Sequence, residues 1–242
     1  MAPESDELAY VTSLQIYLRV ADYRHIDRAS LILARTPALR SLDLELEGCD
    51  ICEDQDCCDG AVNIIQMMFS SRIETGATIR LRSLRITSMC LLYASMLLLE
   101  VLDLGMLEHL QLVRCIGIDP FLRYLEALNL DLSSLCIEDC FRFDTTDFAV
   151  NDFIRSLKPL KRITLKFMGI WFFDLRTLQP HYTSLESLRI EDNPLEQAML
   201  PTTRLAPNLE QLALFGFKVE DGRVSNGSAP YCDIQDLLVC YE

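Results

Sequence analysis

Four of the chain's ten cysteines crowd into one short stretch, GCDICEDQDCCDG from Gly48 to Gly60, beside five acidic residues and no basic one. Zinc favours thiolates in a tetrahedral array, and Cys49 and Cys52 have the C-x2-C spacing of many structural sites. Cys57 and Cys58 are adjacent, however, and no distant second pair completes a zinc-finger pattern. The favoured reading is an exposed acidic loop with incidental thiols and no metal.

None of the three histidines, His25, His109 and His181, has a matched nucleophile in the sequence. There is no G-x-S-x-G, no H-E-x-x-H, no glycine-rich phosphate loop and no basic-aromatic RNA motif, and nine glycines leave little material for such loops. The expectation is a protein that is not an enzyme, with no catalytic residue and no cofactor. Asn226-Gly227-Ser228 fits a glycosylation sequon but reads as a turn.

The elements that would position any site begin with composition. The chain has 242 residues, 50% of them hydrophobic and 24% charged, which is enough to build a sizeable core. Its longest nearly apolar run, Met89–Leu99, is closed at once by Glu100 and Asp103 and falls short of the ~20 apolar residues of a membrane span. The acidic start, MAPESDELAY, does not resemble a secretory signal, so a cytoplasmic or nuclear location is expected, where cysteines stay reduced. A formal net charge of −14 disfavours sequence-independent binding to nucleic acid or to anionic lipid, leaving protein as the expected partner.

An internal repeat organises the rest. The pattern apolar-x-x-apolar-x-apolar occurs at Val11, Leu39, Leu81, Leu107, Leu132, Leu160, Leu185 and Leu209. The starts are 28, 42, 26, 25, 28, 25 and 24 residues apart, a mean of 26 once the long interval is set aside. Most helical repeats run longer, at ~33 to 47 residues. Positions four and six share one face of a strand but not of a helix, so each motif is expected to be a short strand. Between strands, DRASLILA from Asp27, DPFLRYLEAL from Asp119 and DFAVNDFIRSL from Asp147 carry helical spacing, the last stopped by Pro159. The expected architecture is α/β: a curved solenoid of about eight repeats, parallel strands on the concave face and helices on the convex face. Residues 1–10 form a tail, 11–217 the repeat domain with its insertion at about 48–60, and 218–242 a linker with a short helix.

These units resemble the leucine-rich repeats of the ribonuclease-inhibitor-like class, nearest to the cysteine-containing type carried by F-box proteins. The motifs that carry the resemblance are LEHLQLVRC ending at Cys115 and LSSLCIEDC ending at Cys140, while LESLRIEDN places Asn193 at the same ninth position. In that family the ninth residue bonds to the backbone of the turn between repeats. Glu47, Met89, Met168 and Phe217 depart from this, so those turns have to be closed otherwise. The resemblance implies core packing for Trp171.

Function is expected to lie on the strand residues that alternate with the buried leucines. The candidate protein-binding set is Asp43, Arg82, Arg85, His109, Gln111, Thr164, Lys166 and Arg189. The resemblance implies a non-enzymatic interaction scaffold, in its sharper form the substrate-recognition repeats of an F-box-type ubiquitin ligase. An adaptor would then dock through an F-box outside this chain, since none precedes Val11. The alternative is an acidic stoichiometric inhibitor or regulator that wraps a basic protein.

Overall fold

The computed structural model describes residues 7–19, 23–47, 55–140, 149–167, 175–191, 208, 211–214, 217–220 and 223–226. The strands are β1 (Ser13–Arg19), β2 (Ser41–Glu47), β3 (Ile79–Arg80), β4 (Ser83–Thr87), β5 (Leu102–Asp103), β6 (His109–Val113), β7 (Ser134–Cys140), β8 (Arg162–Phe167), β9 (Ser187–Glu191), β10 (Gln211–Leu214), β11 (Phe217–Glu220) and β12 (Arg223–Asn226). The helices are α1 (Tyr23–Ala34), α2 (Gln55–Met68), α3 (Ser70–Thr75), α4 (Leu91–Val101), α5 (Asp119–Ala127) and α6 (Ala149–Ser156), with 3-10 turns at Glu7–Tyr10 and Leu175–His181. The class is α/β, as the strand-helix alternation in the sequence anticipates.

Eight strands form one sheet in the order β1-β2-β4-β6-β7-β8-β9-β10, and every neighbouring pair runs parallel. Register follows the motif without a slip at its fourth position, where Leu14, Leu42, Leu84, Leu110, Leu135, Ile163, Leu188 and Leu212 line up across the sheet. Period-two alternation explains why: a one-residue slip would turn a whole row of leucines into water. Leu84, Ile86, Leu110, Leu112, Leu135 and Ile137 are buried in one core with Leu98 of α4, Phe121 of α5 and Phe153 of α6. Helices pack in sequence, α1 on α2, α2 on α4, α4 on α5 and α5 on α6, so that they form a layer against one face of the sheet.

Backbone hydrogen bonds stitch the strand entries together. The carbonyl oxygen of Arg40 accepts from the N–H groups of both Arg82 and Ser83, that of Arg82 from Glu108 and His109, and that of Glu108 from Ser133 and Ser134. At the strand exits the left-handed region recurs, at φ 53° for Ser88, 52° for Arg114 and 51° for Asp139, each the eighth residue of its motif.

Two expectations need correction. The stretch from Gly48 to Gly60 is not a loop throughout, because α2 begins at Gln55 and takes Cys57 and Cys58 into consecutive helical positions. Ala61, Ile64, Ile65 and Met68 are buried at helical spacing, and that periodicity holds the helix beyond the acidic run. Cys49 and Cys52 lie outside the described residues. Residues 218–242 are not simply a linker either: β11 and β12 pair antiparallel, from Phe217 opposite Asn226 to Glu220 opposite Arg223. Asp221-Gly222 between them is a two-residue hairpin signal, with Val219 and Val224 as a cross-strand pair. The helix expected after Tyr231 lies outside the described residues, as do Trp171, Phe172 and Phe173. Among the described residues no helix is long and apolar enough to cross a membrane.

Candidate protein-interaction face

The side of the sheet turned away from the helices carries three aligned rows. In the middle row Gln15, Asp43, Arg85, Gln111, Cys136, Thr164, Arg189 and Ala213 stand in register. The row nearer the strand exits is Tyr17, Glu45, Thr87, Val113, Glu138, Lys166 and Glu191. The row at the strand starts runs Ser13, Ser41, Ser83, His109, Ser134, Arg162, Ser187 and Gln211. Five of the eight candidate residues, Asp43, Arg85, Gln111, Thr164 and Arg189, therefore lie in one row, with Cys136 between Gln111 and Thr164, and Lys166 and His109 are in the flanking rows. Arg82 lies just ahead of β4, where its guanidinium donates to Glu108 Oε1 at 3.2 Å.

Charges on this face are paired across and along strands. Arg85 Nε is 3.9 Å from Asp43 Oδ1, Lys166 Nζ is 3.1 Å from Asp139 Oδ2, and Arg189 pairs with Glu191 on its own strand. Arg114 Nη2 reaches Glu45 Oε1 at 3.2 Å, passing from β6 to β2. Thr87 on β4 stands between Glu45 and Val113 in the ladder. The Thr87 hydroxyl is buried and has no hydrogen-bond partner among the described residues. Glu45 holds the same motif position as Lys166 and was within reach of strand alternation, whereas Arg114, just past β6, and Asp139, at the bulge of β7, were not.

Nucleophilic chemistry finds no support at Cys136, the thiol in the middle row. Burial, with Glu138 beside it, pushes its pKa up to about 12, so the thiolate is scarcely populated near neutrality. His109 is half-buried, with Nδ1 3.2 Å from the hydroxyl of Ser133. His181 is fully buried and structural: Leu160 N–H donates to its Nδ1 at 3.1 Å, and its Nε2 lies 2.9 Å from the carbonyl oxygen of Ile154. His25 lines a cavity of ≈ 220 Å³ between β1 and α1, with Leu14, Ile16, Leu18, Arg28 and Ile32. Among the described residues no group of three or more His, Cys, Asp or Glu could hold a metal ion. Arg72 is turned inward and donates Nε and Nη2 to the Leu33 carbonyl oxygen in the last turn of α1, at 3.2 and 2.8 Å.

Comparison with protein-family models, with curated proteins and with solved structures returns no match to this chain.

Proposed function

We propose that the chain is a leucine-rich-repeat solenoid of the ribonuclease-inhibitor-like class that works as a non-enzymatic scaffold, holding a protein partner on its open strand face. One observation carries this reading. Parallel sheets are as a rule covered by helices on both faces, yet here the described residues supply helices to one face only, and the other presents three aligned polar rows. The class assignment is supported by strands that follow chain order with motif positions in register, and by buried ninth-position cysteines bonded to the strand before. In its sharper form the scaffold is the substrate-recognising arm of an F-box-type ubiquitin ligase, joined to its adaptor through a separate F-box.

The experiment is site-specific photocrosslinking of the full-length native protein. A crosslinker placed at Gln111 or Thr164 should trap a partner, whereas one at Tyr93 or Tyr124 on the helix layer should not. Trapping from the helix positions alone would overturn the scaffold reading of the strand face. If no ligase adaptor travels with the partner, the ligase arm falls and the scaffold remains. The −14 charge favours a second reading, a stoichiometric regulator that wraps a basic protein. That capture would weaken steeply as salt rises.

A further inference from the structure

We infer that the strand face selects an acidic, extended protein segment, even though the chain as a whole is strongly negative. The inference rests on the interaction-face reading and adds the chemistry of the partner.

In each ion pair on this face the cation is the more exposed member. Side-chain exposure is 47% for Arg85 against 25% for Asp43, and 53% for Arg114 against 28% for Glu45. It is 35% for Lys166 against 23% for Asp139, and 52% for Arg189 against 12% for Glu191. Longer side chains arching over shorter ones explain part of this, but length alone does not suffice. Off this face the order varies: Arg155 and Asp152 in α6 are equally exposed, at 50% and 51%, Asp131 is more exposed than Lys158 in the loops ahead of β7 and β8, at 79% against 48%, and Arg80 is more exposed than Asp103, at 66% against 34%. Arg162 adds a further exposed cation in the strand-start row. Carboxylates are thus the floor of the face and guanidinium and ammonium groups its outer layer, whatever the net charge of −14.

The pairs that Arg85, Arg114 and Lys166 make with partly exposed carboxylates contribute ~0–1 kcal/mol each, so a partner carboxylate can take over those cations at little cost to stability, whereas the nearly buried Glu191 holds Arg189 more firmly. Arginine suits the exchange because its fork can grip a carboxylate through two parallel bonds. Arg85 on β4 and Arg189 on β9 are four strand spacings apart, roughly 19 Å at ~4.8 Å each. An extended segment rising ~3.3 Å per residue covers that span with about six residues.

The test uses the full chain with fluorescein-labelled hexaglutamate and hexalysine as probes, read by anisotropy at about 0.15 M salt, where charges beyond ~8 Å are largely screened. Hexaglutamate is expected to bind more tightly than hexalysine. The variant Arg85→Gln should weaken it several-fold, while Arg85→Lys retains most of the affinity and both keep the parent melting temperature. Tighter binding of hexalysine, no binding of hexaglutamate, or equal binding by the glutamine variant would overturn the inference. Crosslinks from Gln111 and Thr164 persisting alongside such a result would leave the scaffold standing and remove only its charge preference.

Discussion

Cys140 Sγ lies 3.4 Å from the carbonyl oxygen of Leu112, one strand back in the sheet. Cys115 makes the same contact to Ile86 at 3.3 Å, and both thiols also approach the carbonyl two residues before them. Each cysteine follows a left-handed residue: Arg114, just past β6, and Asp139, at the bulge of β7 between Glu138 and Cys140. The thiol therefore ties one strand end to the strand before it, inside the apolar core. Cys115→Ala and Cys140→Ala should each destabilise the fold by about 1–2 kcal/mol, through a lost weak hydrogen bond and a small cavity. Urea denaturation reads this directly. Unchanged midpoints in both variants would show that the thiols only fill space.

Ser88 occupies the left-handed position in the turn after β4, at φ 53°, and is buried. A non-glycine residue there costs roughly 1 kcal/mol, and a β-branched one costs more. Ser88→Gly should therefore leave stability unchanged or raise it by up to ~1 kcal/mol, while Ser88→Val should lower it by more than ~1 kcal/mol. The opposite order in denaturant midpoints would mean that packing around the hydroxyl outweighs backbone strain.

Much of this sheet was legible because strand alternation leaves a period that survives in a single sequence. Leu84 with Ile86 and Leu110 with Leu112 locate their strands, and the eight aligned motifs give the register. The acidic stretch misled because charge density was read as loop, although Ala61, Ile64 and Ile65 extend a buried helical stripe back toward Gln55. The hairpin of β11 and β12 was written in Asp221-Gly222, but fading leucines drew the reading toward a linker. Within the face, the middle row could be named in advance. The Arg114–Glu45 bridge could not, because it joins strands 69 residues apart in sequence through a turn residue that alternation does not place.

Thiol chemistry supplies a separate prediction. Cys136 is half-buried on the open face, and burial raises its pKa to about 12. Cys140 is held well above its ordinary value, again by burial first and then by Cys115 beside it. Native protein treated briefly with iodoacetamide at pH 8 should therefore carry no label at Cys136 or Cys140, whereas denatured protein is labelled at both. Mass-spectrometric mapping reads the outcome. Rapid labelling of Cys136 in the folded chain would contradict its assignment as an inert member of the face.

His181 gives the pH dependence. Its ring receives the Leu160 N–H on Nδ1 and donates from Nε2 to the Ile154 carbonyl oxygen, so it joins the end of α6 to the entry of β8 as a neutral imidazole. Burial lowers its pKa, and the bond to Ile154 only partly opposes this. An unfolded histidine titrates near ~6.5. Between that value and the lower folded one the unfolded chain binds more protons, so stability rises with pH across the window. The contribution is complete above about 6.5 and is lost as the pH falls through the folded value. His181→Phe should remove this slope and, by orphaning two buried backbone groups, cost about 2–5 kcal/mol at pH 8. Urea midpoints measured from pH 8 to pH 5 decide the matter: an identical acid slope in the His181→Phe and parent chains would show that another group carries the acid sensitivity.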